Sequence, residues 1–194
     1  MSNIMDYLLW RGDLYCNAAA FNEVDNVILS ELVYVDFSDI VPGIGGESIS
    51  LAEANERFFA QHTEEEINAR VSSTKMAAFM MREMAETKRY KDIRLANYIN
   101  DIRLDEQSQF CAMTVELGDG FCNVVYSGTD STIVGWKEDF NMAFQYPVPA
   151  QRSASAYLDM VARLWEGPII LVGHSKGGNL AIYAAMNADP KVRK

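Results

Sequence analysis

The chain has 194 residues, of which 49% are apolar and 23% are charged, and this composition is ordinary for a globular protein with a buried core. The net charge of −10 at pH 7 argues against nucleic acid and anionic membrane surfaces as partners, because both attract clustered lysine and arginine. No uninterrupted apolar run approaches the roughly 18 residues of a membrane-spanning helix. Asp6 breaks the apolar run near the N-terminus, so the sequence predicts neither a transmembrane segment nor an export signal.

Cysteines and histidines are few and scattered. Cys16, Cys111 and Cys122 are odd in number, which fits a reducing cytoplasm better than a disulfide framework, so a cytoplasmic location is expected. His62 and His174 are the two histidines, and no Cys-x-x-Cys pair accompanies them. The sequence therefore predicts no metal site and no other cofactor.

Residues 1 to about 104 have mostly helical patterns. A Pro- and Gly-rich break, VPGIGGES, interrupts this part of the chain. Three positions have the residue types that begin helices: Asn22 ahead of a helix to Asp36, Ser50 with Glu53, and Thr63 with Glu66.

Methionines recur at helical spacing between Thr74 and Thr87. Met76, Met80, Met81 and Met84 form this stripe. A lid or a lipid-facing surface would have such a pattern, and so would a core helix filled by adaptable side chains. The sequence favours the core helix, because one apolar face is the usual pattern of a packed helix.

Strands and helices alternate from about residue 105 to residue 194, which predicts an α/β sheet containing parallel pairs. The predicted strands are 109–117, a return strand at 121–128 after the turn residues Gly-Asp-Gly, and 168–172; the predicted helices are 136–144, 153–165 and one that starts at Ser175.

The segment IILVGHSKGGNLAIYAA contains G-x-S-x-G at the end of the last predicted strand. A nucleophile elbow has this context, in which the serine occupies a strained turn and its hydroxyl projects above the sheet. Gly173 and Gly177 allow strand and helix to approach closely, and the helix N-terminus favours developing negative charge. A tight turn without chemistry is the alternative interpretation of Ser175.

A nucleophilic serine needs donors for the oxyanion. The backbone N–H of Lys176, the residue after Ser175, is one candidate. The loop Gly128-Thr129-Asp130, which follows the strand VVYSG, offers the second candidate. The alternative for this loop is a plain turn.

YSGTDSTIVGWKEDF together with GHSKGGNLAIYAA resembles the lipase-like α/β-hydrolases related to the class-three (fungal-type) lipases, and most closely a poorly characterised bacterial branch. The resemblance covers roughly residues 85 to 190. It implies that Ser175 accepts the acyl group and that Thr129 and Lys176 supply the oxyanion hole, Thr129 by its N–H and also by its hydroxyl. It gives Trp136 and Asp139 a structural role.

The base and the acid of a catalytic triad have no clear candidates in this sequence. Hydrolases of this fold place Ser, then Asp, then His along the chain, and no histidine follows Ser175. His174 is expected to pack beside its strand, and His62 to lie on the surface of the helical part. Asp189 is expected to end a helix, and the Lys176 side chain is expected to diverge from Ser175.

The fold class expected is α/β, as one domain over residues 1–194. It is expected to be a partial α/β-hydrolase fold with a helical N-terminal region, whose remaining C-terminal strands, with the missing Asp and His, lie beyond Lys194. The favoured function is a serine hydrolase of ester-type acyl substrates, small molecules or lipids, inactive as this chain alone. The alternative is a non-catalytic α/β module that binds a protein partner or an acyl ligand.

The apolar strand Ile169 to Val172 is expected to have an unpaired edge and an uncovered face. Such an edge is a template for association. The sequence therefore predicts self-association of the chain, or pairing with a C-terminal piece.

Overall fold

The computed structural model describes residues 3–70 and 75–192. They form eight helices and five strands among the described residues: α1 (Ile4–Arg11), α2 (Glu23–Leu32), β1 (Ile49–Ser50), α3 (Leu51–Gln61), α4 (Glu64–Ala69), α5 (Lys75–Glu86), β2 (Arg94–Arg103), β3 (Ser108–Glu116), β4 (Cys122–Tyr126), α6 (Ile133–Asn141), α7 (Pro149–Leu164), β5 (Ile169–Gly173) and α8 (Lys176–Asn187).

The strands form an open mixed sheet in the order β1-β2-β3-β4-β5. The first three pairings are antiparallel, and β4 with β5 is parallel. This mixture of helices with an open sheet confirms the general α/β class.

Helices cover both faces of the sheet. One buried cluster joins side chains of α2, α3 and α5 to one face, where Val125 and Val172 point. A second cluster joins α7 and α8 to the opposite face, where Val124 and Tyr126 point. Successive residues of a strand point to opposite faces, and because both faces are covered, β3 and β4 are buried along nearly their whole length.

Local capping signals predicted the starts of three helices. The Asn22 side chain accepts the Val24 N–H at the start of α2. Ser50 accepts the Glu53 N–H at the start of α3, and Thr63 forms a capping box at the start of α4. These contacts satisfy N–H groups that the first helical turn leaves without partners.

The end predicted for α2 at Asp36 was wrong, because the helix ends at Leu32. Val33, Val35 and Phe37 are buried while the residues between them are more exposed. The chain after Leu32 forms turns, in which the Tyr34 N–H donates to the Glu31 carbonyl and the Val35 N–H donates to the Leu32 carbonyl, so these apolar residues enter the core without continuing the helix.

The prediction of mostly helical structure up to residue 104 missed β2. A bulge between Ala96 and Ile99, with Asn97 at φ 53°, shifts the register of this strand. The extra residue interrupts the alternation of apolar and polar side chains, and the strand signal is lost from the sequence. Two helices begin earlier than the sequence predicts. Helix α6 begins at Ile133, and α7 begins at Pro149, a residue suited to a first helical turn.

The methionine stripe lies on α5, with Met80, Met81 and Met84 buried in the core. The core prediction is confirmed for these three residues. Met76 is exposed. Thr74, predicted to begin this helix, lies outside the described residues.

Strand β5 lies at one edge of the sheet and, within the described part of the chain, pairs with β4 alone. Its faces are partly covered, since Ile170 and Val172 contact the cluster that contains α2, and Ile169 and Leu171 contact the cluster that contains α8, although only Val172 is fully buried. The prediction of an open edge is confirmed, and the prediction of an uncovered face was wrong because α2 returns to this end of the sheet.

Candidate active site

Ser175 lies at the sharp turn from strand to helix that the sequence predicts. Strand β5 ends at Gly173 and α8 begins at Lys176. Ser175 has φ 56° and ψ −125°, a conformation that L-residues rarely adopt. Its side chain is exposed, so the hydroxyl is accessible to a substrate.

Two glycines make this turn possible by close backbone approach. A Cβ atom on Gly173 would overlap the carbonyl group of Gly177, and a Cβ atom on Gly177 would overlap the carbonyl oxygen of Tyr126 on β4. Because backbone atoms cannot move aside as a side chain can, both positions require glycine. The G-x-S-x-G pattern thus packs the start of α8 against two strands.

The parallel pairing of β4 and β5 brings the two predicted donor segments to one edge of the sheet. Tyr126 is the register partner of Gly173, so 127–130 and 174–176 leave the sheet side by side. Within residues 3–70 and 75–192, neither the Thr129 N–H nor the Lys176 N–H has a protein acceptor. Two such N–H groups near an exposed serine suit an anion.

The Thr129 hydroxyl donates to the Asp139 carboxylate over 2.5 Å. The proton of this hydroxyl is therefore held by α6, whereas the Thr129 N–H has no protein acceptor among the described residues. The structural role implied for Asp139 fits this contact. Trp136 is different, because its side chain is 57% exposed and does not belong to the core.

The Lys176 side chain is buried beneath the turn, away from solvent. Its Nζ donates to the Gln109 carbonyl oxygen at 2.7 Å, to Gln109 Oε1 at 2.6 Å and to Glu138 Oε2 at 3.1 Å. All three ammonium protons are thus engaged. The Lys176 side chain is a structural cation, while its backbone N–H has no protein acceptor among the described residues.

Glu138 completes this buried network. Its carboxylate also accepts the Gln109 N–H at 3.0 Å and the Ala150 N–H at 2.9 Å. The side chains of Lys176 and Glu138 are 1% and 0% exposed. A buried ion pair is retained at low cost only when further hydrogen bonds satisfy both ions, as they do here. The pair ties α6, α7 and β3 to the first residue of α8.

The loop that carries Thr129 is held on both sides. The Asp130 N–H donates to Gln109 Oε1 at 3.4 Å. The Asp130 carboxylate accepts the Thr132 N–H at 2.8 Å and the Thr132 hydroxyl at 2.6 Å, and Thr132 caps α6. The loop and the serine turn therefore share one anchor, Gln109.

His174 contacts the end of α2. Tyr34 Oη lies 3.2 Å from His174 Nδ1, and the Glu31 carboxylate lies 3.7 Å from the same nitrogen. Burial, with the nearby Glu31 carboxylate, raises the pKa of Tyr34 to about 12, although a hydrogen bond from the Gly128 backbone opposes this shift. The phenol therefore stays protonated at neutral pH, and its hydroxyl lies within hydrogen-bond distance of His174 Nδ1.

Other residues considered for a triad lie elsewhere. His62 is the residue at which α3 ends. Its ring packs against Phe58 with 4.6 Å between ring centroids. The residue is therefore half-buried, whereas the sequence predicts a surface position. Asp189 follows α8 and accepts the Lys191 N–H at 2.8 Å, as expected for a helix end. Within the described residues, no side chain hydrogen-bonds to the Ser175 hydroxyl.

A groove of about 560 Å³ borders the Thr129 loop. Burial raises the pKa of its Cys111 thiol to about 12, so this cysteine is not a nucleophile at neutral pH. The groove is lined by polar and apolar groups in similar measure, among them Tyr34, Tyr98, Asn100, Ser127, Asp130 and Ser131.

Sequence reasoning missed Gln109, Glu138 and Tyr34. Glu138 lies inside the Trp-x-x-Asp segment between Lys137 and Asp139, so its local pattern is that of an exposed charged position and gives no signal of its burial. Gln109 and Tyr34 come from elements distant in sequence, and nothing in their local pattern marks them.

Comparison with protein-family models identifies a family for this chain. The family model described as Mbeg1-like matches residues 84–194, more than half of the chain. No curated protein and no solved structure matches. No helix in residues 3–70 and 75–192 has the length and apolar character needed to cross a bilayer.

Proposed function

The chain belongs to the Mbeg1-like family, and from this premise we propose that it carries the nucleophile and the oxyanion hole of a serine hydrolase for ester-type acyl substrates. The lipase-like character of the family supports hydrolysis in general. The conformation of Ser175 between β5 and α8 is the observation that carries the proposal.

The proposed reaction is acyl transfer through Ser175. Its Oγ attacks the carbonyl carbon of the ester while the hydroxyl proton passes to a base, and the carbonyl oxygen becomes an oxyanion. The oxyanion collapses, the bond to the leaving alcohol breaks, and the alcohol takes the proton from the base. Water then attacks the acyl-serine in the same way and releases the acid.

The N–H groups of Thr129 and Lys176 are proposed to hold the oxyanion. Both lack protein acceptors in the described residues, and both follow strands that end side by side. Asp139 and the Lys176–Glu138 pair fix the two segments before substrate arrives. Donors fixed in advance stabilise developing charge without reorganising during the reaction.

A histidine outside residues 1–194 is proposed as the base. His174 Nδ1 is engaged by Tyr34, and His62 packs against Phe58. The order β3-β4-β5, with the nucleophile after β5 and an open edge beyond it, suits an α/β-hydrolase sheet continued by further strands. We propose this fold for the complete protein.

The experiment is covalent labelling with a fluorophosphonate, located by peptide mass spectrometry. Label is expected on Ser175, at a rate about 10³-fold or more below that of a complete triad enzyme, because the base is missing. Ser175→Ala should abolish labelling. Ser131→Ala, which changes an exposed serine beside the groove, is the matched control and should leave it unchanged. Label spread over several serines would contradict the proposal.

A non-catalytic acyl-binding module is the second candidate. The absence of a hydrogen-bonded base on Ser175 in the described residues favours it. It predicts that a long-chain acyl ligand binds while Ser175 stays unlabelled even after prolonged exposure to the probe.

A further inference from the structure

The groove that borders the Thr129 loop has part of the sheet as its floor. Alternate residues of two paired strands form this floor, Tyr98, Asn100 and Ile102 on β2 with Cys111 on β3 among them. Tyr98 and Cys111 are buried in the cluster that contains α2, whereas Asn100 and Ile102 are exposed. The side chains that cover this face therefore stop at Tyr98 and Cys111, and the face beyond them is open as the groove.

Tyr34 joins this groove to the candidate active site. Its hydroxyl accepts the Gly128 N–H and lies 3.2 Å from Nδ1 of His174, the residue before Ser175. The same tyrosine lines the groove. An ester whose carbonyl group is held at Ser175 would therefore have the groove open beside it, on the side of the Thr129 loop.

Two polar side chains of the groove have hydrogen-bonding capacity that the protein does not use. The Asn100 amide has no hydrogen bond within the part of the chain that the structure describes. Asp36 Oδ1 accepts the Ser38 N–H at 3.1 Å and the Ser38 hydroxyl at 2.6 Å, while Asp36 Oδ2 has no donor among the same residues. Burial raises the pKa of Asp36, but the bonds from Ser38 and Tyr98 and the charge of Arg70 outweigh it and hold this pKa below its ordinary value. The groove thus offers an ionised carboxylate and a free amide.

The lining of the groove suits an uncharged, hydroxyl-rich ring better than a hydrocarbon chain or an ion. A carboxylate accepts, a guanidinium donates and an amide does both, each through atoms in one plane, and neighbouring sugar hydroxyls both donate and accept. Asp36 and Arg70 have opposite charges, and Asp130 is engaged by Thr132, so the groove has little preference for an ion. The apolar part of the lining suits the C–H faces of a sugar ring. A hydrocarbon chain would instead desolvate the polar groups without replacing their hydrogen bonds.

We propose that the groove binds the sugar part of an O-acylated carbohydrate, whose ester carbonyl group then lies at Ser175. The inference rests on the proposed function and names its substrate class. Hydrolysis breaks the bond between the acyl carbon and the sugar oxygen, and the freed sugar hydroxyl takes the proton from the base. The volume of about 560 Å³ lies within the range of about 300–1,000 Å³ that is usual for small-molecule sites.

The test measures the binding of 6-O-acetylglucose by saturation-transfer NMR, with glycerol monoacetate and butyl acetate as esters of the same acyl group. The acetylated sugar should bind about tenfold or more tightly than either, because only its ring hydroxyls can reach several fixed partners at once. Asn100→Leu should weaken sugar binding by about three- to tenfold. Circular dichroism shows whether this variant is folded. Changes in the backbone amide shifts of Asn100 and Asp130 on adding the sugar need no variant.

Asn17→Leu is the matched control, because Asn17 is also an exposed asparagine but lines a different cavity. It should leave sugar binding unchanged. The acetylated sugar should also slow the labelling of Ser175 by the fluorophosphonate. Equal binding of the three esters, shift changes away from the groove, or sugar binding that leaves the labelling rate unchanged would each overturn the proposal. Sugar binding by a chain whose Ser175 is never labelled refutes the proposed function alone, and labelling of Ser175 without sugar binding refutes the groove proposal alone.

Discussion

The Lys176–Glu138 pair offers the sharpest test of how the site is held. Lys176→Met leaves the Glu138 carboxylate buried without its cation, and the oxygens of Gln109 lose their ammonium donor. Breaking a buried ion pair on one side costs about 3–5 kcal/mol. The loss is large beside the roughly 5–15 kcal/mol that stabilise a typical domain.

The two partners should be strongly coupled. Glu138→Gln leaves the ammonium of Lys176 without its counterion and is expected to cost about 3 kcal/mol or more. The double variant buries no charge, so its loss in the free energy of unfolding should fall short of the sum of the single losses by about 2 kcal/mol or more.

Urea unfolding followed by circular dichroism measures all three variants. Lys137→Met is the matched control, because Lys137 is exposed on the same helix and its replacement should change stability by less than about 0.5 kcal/mol. Single losses that add to within about 0.5 kcal/mol would refute the reasoning. The pair would then not act as one unit.

Three further predictions concern the turn, the N-terminal helices and the sheet edge. Ser175→Gly should be about 1 kcal/mol more stable than Ser175→Ala in urea unfolding, because glycine tolerates φ 56°; equal stabilities would contradict strain at the turn. Burial raises the pKa of Asp25, but hydrogen bonds from Arg89 and Tyr90 outweigh it and hold the pKa below 3.8. The contribution of ionised Asp25 to the free energy of unfolding is therefore fully present above the ordinary carboxyl pKa and is lost as the pH falls through the lower pKa of the folded state. The stability difference between wild type and Asp25→Asn should accordingly shrink below about pH 4. A difference that stays constant with pH would contradict this. The open edge of β5 should give self-association in light scattering at micromolar concentration, and a stable monomer would contradict it.

Local chemistry made part of the fold predictable. Asn22 and Thr63 cap their helices through residues two or three positions away, so the sequence alone contains the whole contact. The turn at Ser175 is predictable for a similar reason, because the strained serine and the two glycines that permit the turn all lie within five consecutive residues.

Contacts between distant segments were not predictable. The bulge at Asn97 hides β2 by breaking its alternation. Gln109 becomes an anchor of the site only when β3 lies beside α6 and α8, and Tyr34 reaches His174 only because α2 returns to the end of β5. A single sequence contains no local signal for such encounters.

The central claim is that Ser175 and the N–H groups of Thr129 and Lys176 form one site. A crystal structure of the chain after phosphonylation of Ser175 tests this claim most directly, since the phosphonate oxygen stands in for the oxyanion. The account predicts that this oxygen lies about 2.7–3.1 Å from both backbone nitrogens. A phosphonate oxygen that points into solvent, or that contacts neither nitrogen, would contradict it.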